Sequence, residues 1–76
     1  MTDPNLALAL SARIKPLLAG HPPEVQGAAL ADLLSIWLAG HHPCARKELA
    51  VLHLEYVIKL VPVSEAQIFP DGSPWQ

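Results

Sequence analysis

The feature that most constrains this chain is the stretch Glu24 to Ala39, EVQGAALADLLSIWLA, set between two nearly matching hinges. Leu18-Ala19-Gly20-His21-Pro22 precedes it, and Leu38-Ala39-Gly40-His41-His42-Pro43 follows it. A glycine just past a helical run closes it, and a proline at the next first-turn position opens another, so each hinge reads as one helix ending and a second beginning. The stretch is therefore the middle helix of three. At about 100° per residue, Val25, Ala29, Leu30, Leu33, Leu34, Ile36, Trp37 and Leu38 cover more than half of its circumference. Glu24, Ala28, Ala31, Asp32, Ser35 and Ala39 fill the remainder. A helix apolar on most sides reads as a buried one, with Leu30, Leu33, Leu34 and Trp37 serving the core.

Asp3-Pro4 is a helix entry, because the carboxylate accepts a bond from a first-turn amide and proline needs no amide partner there. The helix it opens places Leu6, Leu10, Ile14, Leu17 and Leu18 along one stripe. Pro16 interrupts that stripe, which predicts a kink or an early end near Lys15. The third helix opens at Pro43 and carries two apolar stripes, Leu49, Leu52, Tyr56 and Leu60 on one side and Val51, Leu54, Ile58 and Val61 on another. Its polar sector is only Glu48, Glu55 and Lys59, and Pro62 is expected to stop it. The expectation is an all-α chain: a small three-helix orthogonal or antiparallel bundle over residues 1–62, with helices at about 4–18, 23–39 and 43–61. A turn-rich, irregular tail follows at 63–76. In that tail Ser64 to Gln67 forms a weak capping box, and Phe69-Pro70-Asp71-Gly72-Ser73-Pro74-Trp75 is turn chemistry with an aromatic at each end, of which Phe69 is expected to dock.

Composition narrows the function classes. Seventy-six residues make one domain and bury only about 60% of the unfolded chain's surface, so a monomer is marginal without further support. Cys44 is the single cysteine, which rules out an intrachain disulfide and favours a reducing compartment. Five Lys and Arg against seven Asp and Glu give a net charge of -2. The basic residues are scattered, so no nucleic-acid partner is expected. The start, Met-Thr-Asp-Pro-Asn, lacks the positive charge of a secretory signal. Charges interrupt every apolar run before the roughly 20 residues of a membrane span. The expected location is cytoplasmic, away from the membrane.

His41, His42 and Cys44 place three soft-metal ligands within four positions, a donor set that zinc accepts. The spacing matches no two-plus-two zinc pattern, and His53 lies about 13 Å farther along the helix, so a solvated loop in which the histidines cap carbonyls is the preferred reading, with no metal. Cys44 beside Arg46 and Lys47 has the surroundings of a reactive thiol, but no base and orienting acid stand at a recognisable spacing, so no enzyme is expected. His53 reads as an edge histidine at a packing seam beside Val57 and Leu60. Asp32 must face water or pair with Arg13, Arg46 or Lys47. No glycine-rich phosphate loop or accompanying lysine suggests a cofactor. The two Leu-Ala-Gly-His hinges, twenty residues apart, are read as ordinary helix connections rather than as a duplicated unit.

The mismatch between apolar surface and chain length leads to the functional expectation: a small self-associating helical protein, an interaction or accessory module. A homo-oligomer is expected, a dimer first, with Trp37, Leu49, Leu52 and Tyr56 at the interface. The alternatives are a module binding a small hydrophobic ligand or a partner protein's helix, or a metal or redox site at His41, His42 and Cys44.

Overall fold

A computed structural model describes residues 3–72, 74 and 75. Ser73 of the expected turn, like Met1, Thr2 and Gln76, lies outside the described residues. Three α-helices follow one another: α1 (Pro4–Leu18), α2 (Pro23–Ala39) and α3 (Pro43–Ile68). No strand occurs among the described residues, so the chain is all-α. It divides into two compact units, residues 1–35 and 36–76. The first contains α1 and most of α2. The second contains the end of α2, the whole of α3 and the chain beyond it.

In the first unit α1 begins as its sequence dictates. Asp3 is the N-cap, its carboxylate accepting from the Asn5 amide at 2.9 Å, and Pro4 occupies the first turn. Of the two outcomes expected at Pro16, a kink or an early end near Lys15, the early end does not occur: α1 runs through Pro16 to Leu18, the bounds expected for it. Proline removes the ladder bond to Ala12, but its preset φ is itself helical, so one hydrogen bond is lost and the conformation is kept. Closure comes at Ala19, which turns to an extended conformation while its amide still reaches the Lys15 carbonyl at 3.1 Å. Gly20 follows at φ +84°, the left-handed conformation for which glycine is suited. Gln26, one turn into α2, then donates its side-chain amide to the Leu18 carbonyl at 2.8 Å. The same carbonyl accepts from the His21 amide at 3.3 Å, so two donors finish the end of α1. At the start of α2 the Pro22 carbonyl accepts from the Val25 and Gln26 amides at 3.0 and 3.1 Å, and Glu24 places negative charge near the positive end of the dipole.

The third helix is longer than its sequence suggests. It passes through Pro62 and ends at Ile68, so the expected stop at Val61 is corrected and the irregular tail begins at Phe69 rather than Val63, and Ser64 to Gln67 lies inside the helix rather than starting a turn of its own. The reason is again that proline subtracts one bond, here to the Ile58 carbonyl, while Val63 to Ile68 remains compatible with helical φ. At 26 residues α3 is about 39 Å long, against about 26 Å for the 17 residues of α2. Its end is tied off by the Phe69 amide on the Glu65 carbonyl at 2.8 Å and the Gly72 amide on the Phe69 carbonyl at 3.0 Å, with Gly72 at φ +112°. Phe69 itself is half-buried.

The expected core is not formed within the chain. Among the described residues no side chain is buried. Of the four proposed core residues of α2 only Leu34 is half-buried; Leu30 and Leu33 are each 52% exposed and Trp37 is 42% exposed. The half-buried positions of α2 are Gln26, Ala29, Leu34 and Leu38. A helix apolar on most sides offers no dominant face, so its sequence does not select which residues are covered. Asp32 is exposed, and its carbonyl accepts from the Ser35 hydroxyl at 2.7 Å.

The two glycines that close α1 and α2 should respond differently to substitution. Gly20→Ala forces an L side chain into a left-handed conformation at a cost of about 1 kcal/mol or more. Gly40 has no positive φ, and an added Cβ would meet the Trp37 carbonyl at 3.5 Å, an ordinary contact. Thermal unfolding followed by circular dichroism should show a Tm lowered by several degrees for Gly20→Ala and nearly unchanged for Gly40→Ala.

Candidate functional site

The densest group of polar and aromatic side chains lies in the second unit, where α2 ends and α3 begins. It is built from Trp37 in the last turn of α2, His41 and His42 in the hinge, and Arg46 and His53 in the first three turns of α3.

Two backbone bonds finish α2: the Gly40 amide reaches the Ile36 carbonyl at 3.2 Å, and the His41 amide reaches the Leu38 carbonyl at 3.0 Å. Because Gly40 keeps a negative φ, the expected repetition of the first hinge's closure does not occur despite the shared Leu-Ala-Gly-His. Side chains take over. His41 lies with Nδ1 2.8 Å from the Trp37 carbonyl. A carbonyl only accepts, so this contact assigns the proton to Nδ1 of His41. Arg46 reaches back with Nε to the His41 carbonyl and Nη2 to the Ala39 carbonyl, both at 3.0 Å. A guanidinium on the last carbonyl of α2 and on a hinge carbonyl just beyond it satisfies an orphan acceptor and places positive charge at the negative end of the helix dipole.

His42 does the opposite job. It is the N-cap of α3, and its Nδ1 accepts from the Cys44 amide at 3.1 Å. The two adjacent histidines thus use the same ring nitrogen in opposite roles, donor in His41 and acceptor in His42. The loop histidines are caps, one on a carbonyl as expected from the sequence and the other on an amide.

Trp37 sits between two imidazoles. The His41 ring meets it edge-on, with centroids 4.9 Å apart and planes at 67°, and the His53 ring lies at 5.1 Å and 41°. Such offset and edge contacts suit the quadrupoles of the rings and add to simple area burial. His41, Arg46 and His53 are half-buried, as are Ala45, Leu49 and Ala50 around them. His53 is therefore at a packing seam, with Trp37 as its aromatic neighbour.

Among the described residues no three His, Cys, Asp or Glu side chains gather closely enough to hold a metal ion. His41, His42 and Cys44 are not drawn together as a ligand set: both imidazoles engage Nδ1 with the backbone. Cys44 is an exposed free thiol. Arg46, read from the sequence as a neighbour that could activate it, has its guanidinium on the Ala39 and His41 carbonyls. Of the expected interface residues, Leu49 is half-buried, Leu52 and Tyr56 are exposed, and Trp37 belongs to the aromatic group. The chain matches no known family, no characterised protein and no solved structure.

Sequence reasoning did not foresee Arg46 as the cap of α2, Gln26 as the cap of α1, or the pairing of Trp37 with His53. A basic residue shortly after a helix end was the available signal for the first. The other two depend on how the chain turns at each hinge.

What this arrangement does chemically is close helix ends and fix a junction. Arg46→Met, which keeps the aliphatic stem, should lower stability by about 1 kcal/mol through the loss of two charge-assisted bonds at a partly exposed site. Arg46→Lys should recover less than half of that, because one ammonium does not reproduce the fork that spans two carbonyls. Urea unfolding followed by helical circular dichroism gives both values.

Proposed function

We propose that this chain is a self-associating helical module whose role is interaction rather than catalysis, with a homodimer as its working state. The observation that carries the reading is the absence of any buried side chain among the described residues, together with twenty large hydrophobic side chains left exposed. Isolated exposed leucines are ordinary on a protein surface, but apolar positions along the whole length of α3 are not.

A second copy is favoured over a membrane because no helix among the described residues is long and apolar enough to cross one, and the basic residues needed for a lipid surface are few. The free thiol of Cys44 is consistent with a reducing compartment such as the cytoplasm. A small hydrophobic ligand or a partner's amphipathic helix would cover the same surface, and the two cases separate experimentally.

Light scattering coupled to gel filtration at micromolar concentration should give a mass about twice 8.2 kDa, with stability that rises with protein concentration. A well-folded monomer whose unfolding is independent of concentration would overturn the proposal. A poorly stable monomer that gains stability from an apolar ligand would transfer it to the ligand-binding reading.

A further inference from the structure

We infer that α3 pairs with α3 of a second copy in antiparallel orientation through the face marked by Lys47, Val51, Leu54, Ile58, Val61 and Glu65, with the two-fold axis passing at the level of Tyr56. The inference rests on the self-association reading above and names the surface and geometry it uses.

These six positions recur at alternating spacings of four and three along an unbroken helix, the seam of a two-stranded helical pair. The seam reads the same in both directions about Tyr56. Antiparallel pairing there sets Val51 opposite Val61, Leu54 opposite Ile58 and Lys47 opposite Glu65, each relation occurring twice by symmetry. A parallel pair would set Lys47 against Lys47 and Glu65 against Glu65. The charges at the two ends of the seam therefore choose the antiparallel arrangement, since like charges facing each other at a close contact are unfavourable.

Lys47 and the four apolar residues of this face are exposed, while Glu65 at its far end is half-buried. Val51, Leu54, Ile58 and Val61 are between 51% and 60% exposed. The half-buried residues in the first half of α3, namely Ala45, Arg46, Leu49, Ala50 and His53, are centred roughly 130° around the helix from it. Tyr56 falls on that other side too. The apolar stripe through Leu49, Leu52, Tyr56 and Leu60 has the covered Leu49 near one end and no pair of opposite charges at its ends, so it is the weaker candidate for a second copy. Along one flank of the chosen seam lie Glu48, Glu55, Lys59 and the ring of Pro62. About the same axis Glu55 of each copy comes within two residues' rise, about 3 Å, of the level of Lys59 of the other. That lysine compensates the approach of the two Glu55 carboxylates.

The test is a charge exchange in the full-length chain, measured by sedimentation equilibrium at low salt with helical content as a control. Lys47→Glu and Glu65→Lys should each weaken the dimer about tenfold, because each single change sets two like-charged pairs against one another, and K47E/E65K together should restore the wild-type dissociation constant to within about twofold. Lys47→Glu moves an acid into the early part of α3, where the helix dipole favours it, so weaker association would not reflect a weaker helix. If the dimer forms but the single exchanges leave its affinity unchanged, or the double exchange stays as weak as the singles, the pairing face is wrong while self-association stands. A wild-type chain that is monomeric overturns both.

Discussion

Helices α2 and α3 carry apolar side chains on more than one side, and apolar area gains stability when it is taken out of water. Burial stabilises a side chain such as Leu or Val by roughly 1.5 to 3 kcal/mol, and a chain of this length draws its stability from that source or from very little. Among the described residues neither a disulfide nor a cluster of metal ligands replaces it, since Cys44 is the single cysteine and His41 and His42 are engaged with the backbone. The polar interactions are consequently local. They close helix ends and hold the hinges, and they leave the apolar faces exposed.

The helix count and the helix starts were legible in the sequence because they depend on neighbours within a few residues. Asp3-Pro4, Glu24 after Pro23, and Pro43 act through first-turn amides and the dipole, and the structure uses them as local chemistry requires. The ends of α1 and α2 were legible too, but that of α3 was not. Pro16 and Pro62 looked like breaks because each removes a ladder bond, yet what decides whether a helix continues is whether the residues beyond can hold helical φ and ψ. Leu17-Leu18 and Val63 to Ile68 can.

The site was only partly legible for a related reason. That His41 and His42 act as caps follows from their place between two helices. Which groups they cap depends on the path of the hinge, and the two Leu-Ala-Gly-His segments show that identical residues take different paths, Gly20 left-handed and Gly40 not. The contact of Trp37 with His53 spans sixteen positions and both helices, and no pattern within a single helix encodes it. Burial was the least legible quantity, because residues apolar in every direction do not say which direction is covered.

The two side chains that reach back across the hinges do so in the same sense. Gln26 of α2 closes the end of α1 at Leu18, and Arg46 of α3 closes the end of α2 at Ala39. Each helix is thus completed by a residue synthesised seven or eight positions later. The coupling is directional: fraying of α3 at its start exposes the last carbonyl of α2, whereas fraying at the start of α2 leaves the Arg46 bonds in place. During synthesis the order of emergence and the order of closure coincide, and α2 acquires its finished C-terminus only once the first turn of α3 has formed.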